Sequence, residues 1–393
     1  MTAQFPRNQF SAPRLRVCFP FIAQAHQTPH ALPIAMELAA RHRDTEVTLA
    51  CLTESHLALV RDLAAAYPQA SVRYDLLRLP AALRGDRGFK GLQVARKLGA
   101  LPYNRNYFAG FDAIVTPELT SLLLKRLGVV RPKIIWTHHG AGDRAGGYVK
   151  ATAKFDFVVM AGRKLEERLL KLGLIRPGYY ATGVYAKFDL VRKLAGRRVR
   201  LFDNDRPTVL YNPHFAPGLS SWPKVGAEVL DWFAESDDYN LIFAPHLRLF
   251  DPATPKRYAA FDAYSALPHM HIDLGSRALI DMTYTSAADI YLGDVSSQVA
   301  EFLTRPRPCV FLNPANVTWR DDPSFRFWSL GEVINRPDEL GEGLARAIEG
   351  HGQLLPLQEA YIEETFEAAL EPTAWRGADA IADYLRAEVG LTA

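Results

Sequence analysis

The chain has 393 residues, 46 of them basic and 43 acidic, giving a formal net charge of +3. So even a balance argues against a nucleic-acid binder, and a hydrophobic fraction of 48% with 23% charged residues excludes extended disorder. The length exceeds what one ordinary core serves and suits two domains of roughly 150 to 200 residues each.

The N-terminal stretch MTAQFPRNQFSAPRLR lacks the continuous apolar core of a signal peptide. No later run approaches about 18 uninterrupted apolar residues, so a cytoplasmic location without a membrane span is expected. From Arg14 the chain alternates strand-like and helix-like patterns: RLRVCFPFIA, ALPIAMELAARH, TEVTLACL, SHLALVRDLAAAY and SVRYDLL. That rhythm predicts βαβ units and a parallel sheet covered on both faces. Further strands are expected near Asp112–Thr116, Lys133–His138, Phe155–Met160 and Tyr179–Thr182, with helices at about Pro117–Leu127 and Arg163–Leu172.

Residues 1–185 then form a first, acceptor-side Rossmann-like domain, and 186–207, rich in charge and turn formers, a linker. A second series over 208–375 reads TVLYNP, a helix near Lys224–Ala234, NLIFAPH, HMHIDL, DIYLGD and CVFLNP. Residues 376–393 form a last helix able to pack back on the first domain. The expected fold is α/β, two doubly wound domains whose strand C-termini surround one interdomain cleft. Cys18, Cys51 and Cys309 each sit in an apolar run, which points to core packing rather than a disulfide or zinc site.

Polar residues cluster where strands end. IYLGDVSSQVAEFL runs from a strand through Asp294 to Ser296 and Ser297, which open a helix. Small polar residues there leave free N–H groups for a phosphate, or they simply cap the helix. KIIWTHHGAGDRAGGY places His138, His139, Gly140, Asp143 and Arg144 in a loop after a strand, where an imidazole can exchange protons near neutral pH. TVLYNPHFAP delivers Tyr211, Pro213 and His214 to the same edge of its sheet as NLIFAPHLR delivers His246 and the permanently charged Arg248. Asp203-Asn204-Asp205 has a metal-binding spacing but reads better as a turn, and no better acidic cluster follows a strand.

In order and content these residues resemble the CDP-glycerol glycerophosphotransferases, the teichoic-acid polymerase and primase family with the GT-B fold. The resemblance rests on Trp136-Thr137-His138-His139-Gly140, Tyr211-Asn212-Pro213, Pro245-His246 and the run SAADIYLGDVSS, strongest over Met282–Asn313. Departures are Val295 where the family has tyrosine, Leu247 where it has proline, and a longer loop after His139. The resemblance implies a metal- and cofactor-independent transferase moving a group from a nucleotide-activated donor to a hydroxyl of a glycan or lipid-linked cell-envelope acceptor. It also implies His139 as general base and His246, with Ser296 and Ser297, as stabilisers of the leaving phosphate. Other readings are a capsule or lipopolysaccharide nucleotide-sugar transferase, a UDP-sugar epimerase using Glu118, Asp143 or Glu301, and a non-catalytic nucleotide-binding protein. Basic stretches at Leu190–Arg200 and Leu79–Phe108, the latter with Arg96 and Lys97, suit either a solvated face or peripheral contact with an anionic inner membrane surface.

Overall fold

A computed structural model describes residues 15–84, 90–141, 150–195, 200–367 and 371–389. The first sheet is built from β1 (Leu15–Phe21), β2 (Thr45–Cys51), β3 (Arg73–Leu76), β4 (Ala113–Thr116), β5 (Lys133–Thr137), β6 (Phe157–Val159) and β7 (Tyr180–Ala181). Its seven strands lie in the order β3-β2-β1-β4-β5-β6-β7. The second contains β8 (Thr208–Asn212), β9 (Asn240–Phe243), β10 (Met270–Ile272), β11 (Ile290–Gly293), β12 (Cys309–Leu312) and β13 (Glu332–Ile334), in the order β10-β9-β8-β11-β12-β13. Neighbouring strands pair parallel in both. The order reverses beside β1 and again beside β8, so each sheet has a switch point at which loops diverge and leave a crevice. Two α/β domains of this kind constitute the GT-B fold.

Alternation along β1 explains the layering. Val17, Phe19 and Phe21 pack with Leu32, Ala35 and Leu38 of the helix Thr28–Arg41, while Cys18 faces the opposite layer with Leu101, Phe108 and Trp136. Cys18, Cys51 and Cys309 are all buried and free.

The stretch 186–207 differs from its turn-rich appearance. Lys187–Leu194 is a helix, and its charged residues Lys187 and Asp189 are buried along with Phe188, Leu190 and Val191. Leu190 and Leu194 join the core under the first sheet, whereas Phe188 and Val191 join a core in the second half. Burial is possible because both charges are matched. Lys187 Nζ donates to Glu301 Oε1 and Oε2 at 2.8 and 2.7 Å, Tyr185 Oη donates to Oε1 at 2.7 Å, and Asp189 accepts the N–H groups of Thr373 and Ala374. The chain thus re-enters the first half, where the helix Ala374–Val389 packs along Thr28–Arg41, fastened by Asp379 to Arg41 and His42 and by Arg386 to Asp44.

The helix His351–Phe366 bridges the halves from the other side. A side chain on Gly162 would meet Thr365 O at 2.6 Å, so only a residue without Cβ permits this approach. Removing one member of a buried pair strands the other charge, at a cost of about 3–5 kcal/mol. Glu301→Ala should therefore lower the urea midpoint sharply, while Lys187→Met with Glu301→Leu should recover most of the loss.

Candidate active site

Because the ladders are parallel, every βα loop of a sheet lies at one edge, and the two edges face each other. After β1 comes Ala25-His26-Gln27, then the helix that carries His30; after β5 come His138, His139 and Gly140. From the second half, β8 leads to Pro213-His214 and β9 to Pro245-His246. The imidazoles meet as a chain across the cleft: His138 to His139 at 6.3 Å between ring centroids, His139 to His26 at 6.5 Å, His26 to His246 at 5.7 Å and His246 to His214 at 5.6 Å. His30 lies 6.2 Å from His139 and edge-on to Tyr185.

The hydrogen bonds assign these rings different chemistry. His214 Nδ1 accepts from Ala216 N–H at 3.0 Å and His246 Nδ1 from Arg248 N–H at 3.2 Å, so each neutral ring keeps its proton on Nε2. His139 Nε2 lies 3.1 Å from the Gln27 side-chain amide nitrogen, and with that amide donating, Nε2 is an accepting, basic nitrogen. Burial is the main cause that holds the rings neutral: His138 and His246 are each pushed down to about 3, and His26, His30 and His139 are also lowered. The positive charge of Lys187 adds to the effect at His26, His30 and His246. Among the described residues no group of three or more His, Cys, Asp or Glu side chains could hold a metal ion.

The structure brings His138, His139, His214 and His246 together and gives several other expected site residues internal tasks. Asp294 is 1% exposed, and its Oδ2 accepts the N–H groups of His214 at 2.7 Å and Ser221 at 2.9 Å. That oxygen shapes the loop that carries His214, while Oδ1 is buried with no hydrogen-bond partner among the described residues. Ser296 caps the helix Ser297–Phe302 by accepting from Gln298 N–H, which occupies a lone pair and leaves the hydroxyl proton able to donate. Gly140, at φ +81°, crosses the cleft and rests on that helix start, where a Cβ would lie 3.3 Å from Ser297 Oγ. Gly140 thus rests against the helix start that the sequence offers as an anion cradle, whose Ser297 stays half-buried.

Tyr211 is fully buried with its hydroxyl 2.9 Å from Ser221 Oγ, and buried Pro213 uses its carbonyl to accept from His246 N–H; both are framework. Arg248 lies 3.9 Å over the Phe215 ring. Asp143 and Arg144 fall outside the described residues.

His26, Gln27, His30, Tyr185 and Lys187 were not singled out from the sequence. The signal was present: two histidines four residues apart flank the first turn after β1, the loop nearest a doubly wound switch point. Arg96 and Lys97 are not surface cations either: Arg96 is 3% exposed and donates to Leu83 O, and Lys97 pairs with buried Glu118 at 2.6 Å. Asn204 exchanges side-chain hydrogen bonds with Asn240 and caps the turn into Arg206 at the edge of the sheet remote from the cleft.

Opposite pH dependences follow. His138 and His246 refuse, down to about 3, protons that the unfolded chain takes up below 6.5, so their contribution is intact above 6.5 and lost as pH falls toward 3. Burial raises the Asp294 carboxyl from 3.8 to about 7, so its contribution is intact below 3.8 and lost as pH rises through about 7. Thermal unfolding should therefore show wild type weakening from pH 6.5 downward, with Asp294→Asn gaining on wild type as pH rises through about 7. Asp294→Ala should lose about 1–3 kcal/mol through unpaired N–H groups.

No protein-family model and no curated protein sequence matches the chain. Solved structures do match its fold. The UDP-GlcNAc 2-epimerase from Neisseria meningitidis bound to UDP-GlcNAc superposes with a TM-score of 0.59 at 13% identity, over 95% of this chain and 99% of that one. The S. aureus MnaA-UDP structure gives 0.61 at 11% identity over 96% and 98%. The wall teichoic acid polymerase TagF with CDPG gives 0.62 at 12% identity over 96% and 90%. At such identities the likeness establishes a shared GT-B architecture along nearly the whole chain.

Proposed function

We propose that this protein is a metal-independent GT-B transferase that moves a group from a nucleotide-activated donor, CDP-glycerol-like or a nucleotide sugar, to a hydroxyl of a cell-envelope glycan or lipid-linked acceptor. One observation carries the reading: imidazoles from both halves meet in the cleft with complementary roles, one accepting nitrogen on His139 against an Nε2–H group on His246. The acceptor hydroxyl would replace the Gln27 amide at His139 Nε2. As its oxygen bonds to the donor's phosphorus or anomeric carbon, its proton passes to His139 and the bond to the nucleotide phosphate breaks. His246 would then donate to the phosphate oxygens that gain charge.

The structural neighbours carrying UDP-GlcNAc, UDP and CDPG support a nucleotide-linked donor. They fit an epimerase equally well in overall shape. Transfer is favoured because two of the three carboxylates offered for an epimerase are engaged elsewhere, Glu118 with Lys97 and Ser121 and Glu301 with Lys187 and Tyr185, while the third, Asp143, lies outside the described residues. Peripheral membrane contact would fall to the exposed Val94, Leu98 and Tyr103 beside Arg105, since Arg96 and Lys97 point inward.

Assayed in EDTA with CDP-glycerol and UDP-GlcNAc as separate donors, wild type should release nucleotide in the presence of an acceptor. His139→Ala should lose about 10²- to 10⁴-fold and His246→Ala about 10²- to 10³-fold. Because the pKa of His139 is lowered, the acid limb of kcat/KM should fall below pH 6.5. Near-full activity in His139→Ala would remove the proposed base. Val94→Asp with Leu98→Asp should abolish flotation with anionic liposomes; unchanged partitioning would end the membrane reading.

A further inference from the structure

Gln27 ends the turn Ala25–Gln27 and is the N-cap residue of the helix Thr28–Arg41, yet its side chain makes no capping bond. A side chain at that position ordinarily serves the helix's first N–H groups, and glutamine is not among the residues favoured for the task. Here it reaches instead to the loop after β5 and sets its amide nitrogen 3.1 Å from His139 Nε2. The turn fixes that reach: Gln27 N–H donates to Gln24 O at 2.9 Å, Thr28 Oγ1 lies 2.9 Å from His56 Nε2, and Pro29 stiffens the helix start.

The other end of the amide is unpaired. Gln27 Oε1 is shielded from solvent and has no hydrogen-bond partner among the described residues, as is true of His26 Nδ1 and His139 Nδ1. A buried carbonyl without a donor is costly, so the amide's own hydrogen bonding does not explain where it lies. What it covers does. Direct contact at 3.1 Å leaves no room for a water between the amide and the nitrogen proposed as base.

We propose that Gln27 makes the site choose an acceptor hydroxyl over water, its amide covering the accepting nitrogen of His139 until a bound acceptor displaces it. This assignment rests on the transferase reading. Water competes with every acceptor for an activated donor, and a general base serves either nucleophile. Were water to reach His139 Nε2, its oxygen would bond to the donor's phosphorus or anomeric carbon and its proton would pass to His139. The nucleotide would leave with the electrons of the broken bond, and the donor would be lost to hydrolysis. A water that displaces the amide exchanges one hydrogen bond for another and gains nothing further. An acceptor held along the rest of its surface can apply that remote binding to turning the amide aside.

The test compares wild type, Gln27→Ala, Gln27→Asn and the double variant Gln27→Ala with His139→Ala in two readouts. Carbethoxylation of His139 by diethyl pyrocarbonate, quantified by peptide mass spectrometry against His351, reads access to the nitrogen without any substrate. Release of CMP from CDP-glycerol and of UDP from UDP-GlcNAc, in EDTA and without acceptor, reads hydrolysis. Gln27→Ala should raise both rates about tenfold, and the double variant should return release to the wild-type level or below. Gln27→Asn, whose amide is too short to reach, should behave like Gln27→Ala and carries the result alone should the latter fail to fold. Carbethoxylation of His139 at the wild-type rate in the Gln27 variants, measurable release that they leave unchanged, or faster release that survives His139→Ala would each overturn the proposal. Where carbethoxylation rises but no variant releases nucleotide, thermal shift with CMP and UDP separates the two readings. Stabilisation by either nucleotide would then overturn the barrier to water alone, and its absence would overturn the transferase reading on which the barrier rests.

Discussion

The arrangement of the molecule depends on one ion pair taken out of water. Lys187 and Glu301 have side chains 8% and 4% exposed, and they meet at 2.7 Å between a helix joining the two halves and the helix that follows β11. A lone charge there would cost several kcal/mol, so each residue tolerates its position only while the other occupies its own. Tyr185 supplies the third contact and fixes the carboxylate's orientation. With this pair made, the helix start at Ser297 lies under Gly140, and the loops after β1 and β5 are held opposite those after β8 and β9.

The same pair adds a smaller push at the crowded imidazoles. Burial of the rings is the main reason further protons are disfavoured, and the nearby Lys187 ammonium acts in the same direction. The cleft therefore stays uncharged at its histidines while remaining rich in hydrogen-bonding capacity. Which nitrogen of each ring carries the proton is decided by the local backbone: the N–H groups of Ala216 and Arg248 donate to Nδ1 of His214 and His246 and leave the proton on Nε2.

Much of the architecture was legible from the sequence. Runs such as TVLYN and IYLG are continuous apolar strands because both faces of a parallel sheet are covered, and these strands are buried throughout except for Thr208. β13 escaped notice because Glu332-Val333-Ile334 is short and edge-lying. The helix Lys187–Leu194 escaped because Lys187 and Asp189 look like solvent charges until their partners, over a hundred residues away, are known. Asp294 misled in the opposite sense: its place between a strand and serines matches a phosphate loop, whereas its carboxylate in fact organises the neighbouring turn. His26 and His30 flank the turn after β1, a spacing visible in the sequence, but that spacing does not show that His26 meets His246 of the other half.

The main chain passes between the halves at two places, before β8 and again ahead of Ala374, and Asp189 stitches these passages side by side. Twin connectors fixed at one spot act as a pivot, so any opening of the jaws swings about that point. Displacement then grows with distance from it, and contacts far out on the rim, such as Arg277 with Asp62, behave as a latch that must release before contacts near the fulcrum feel strain.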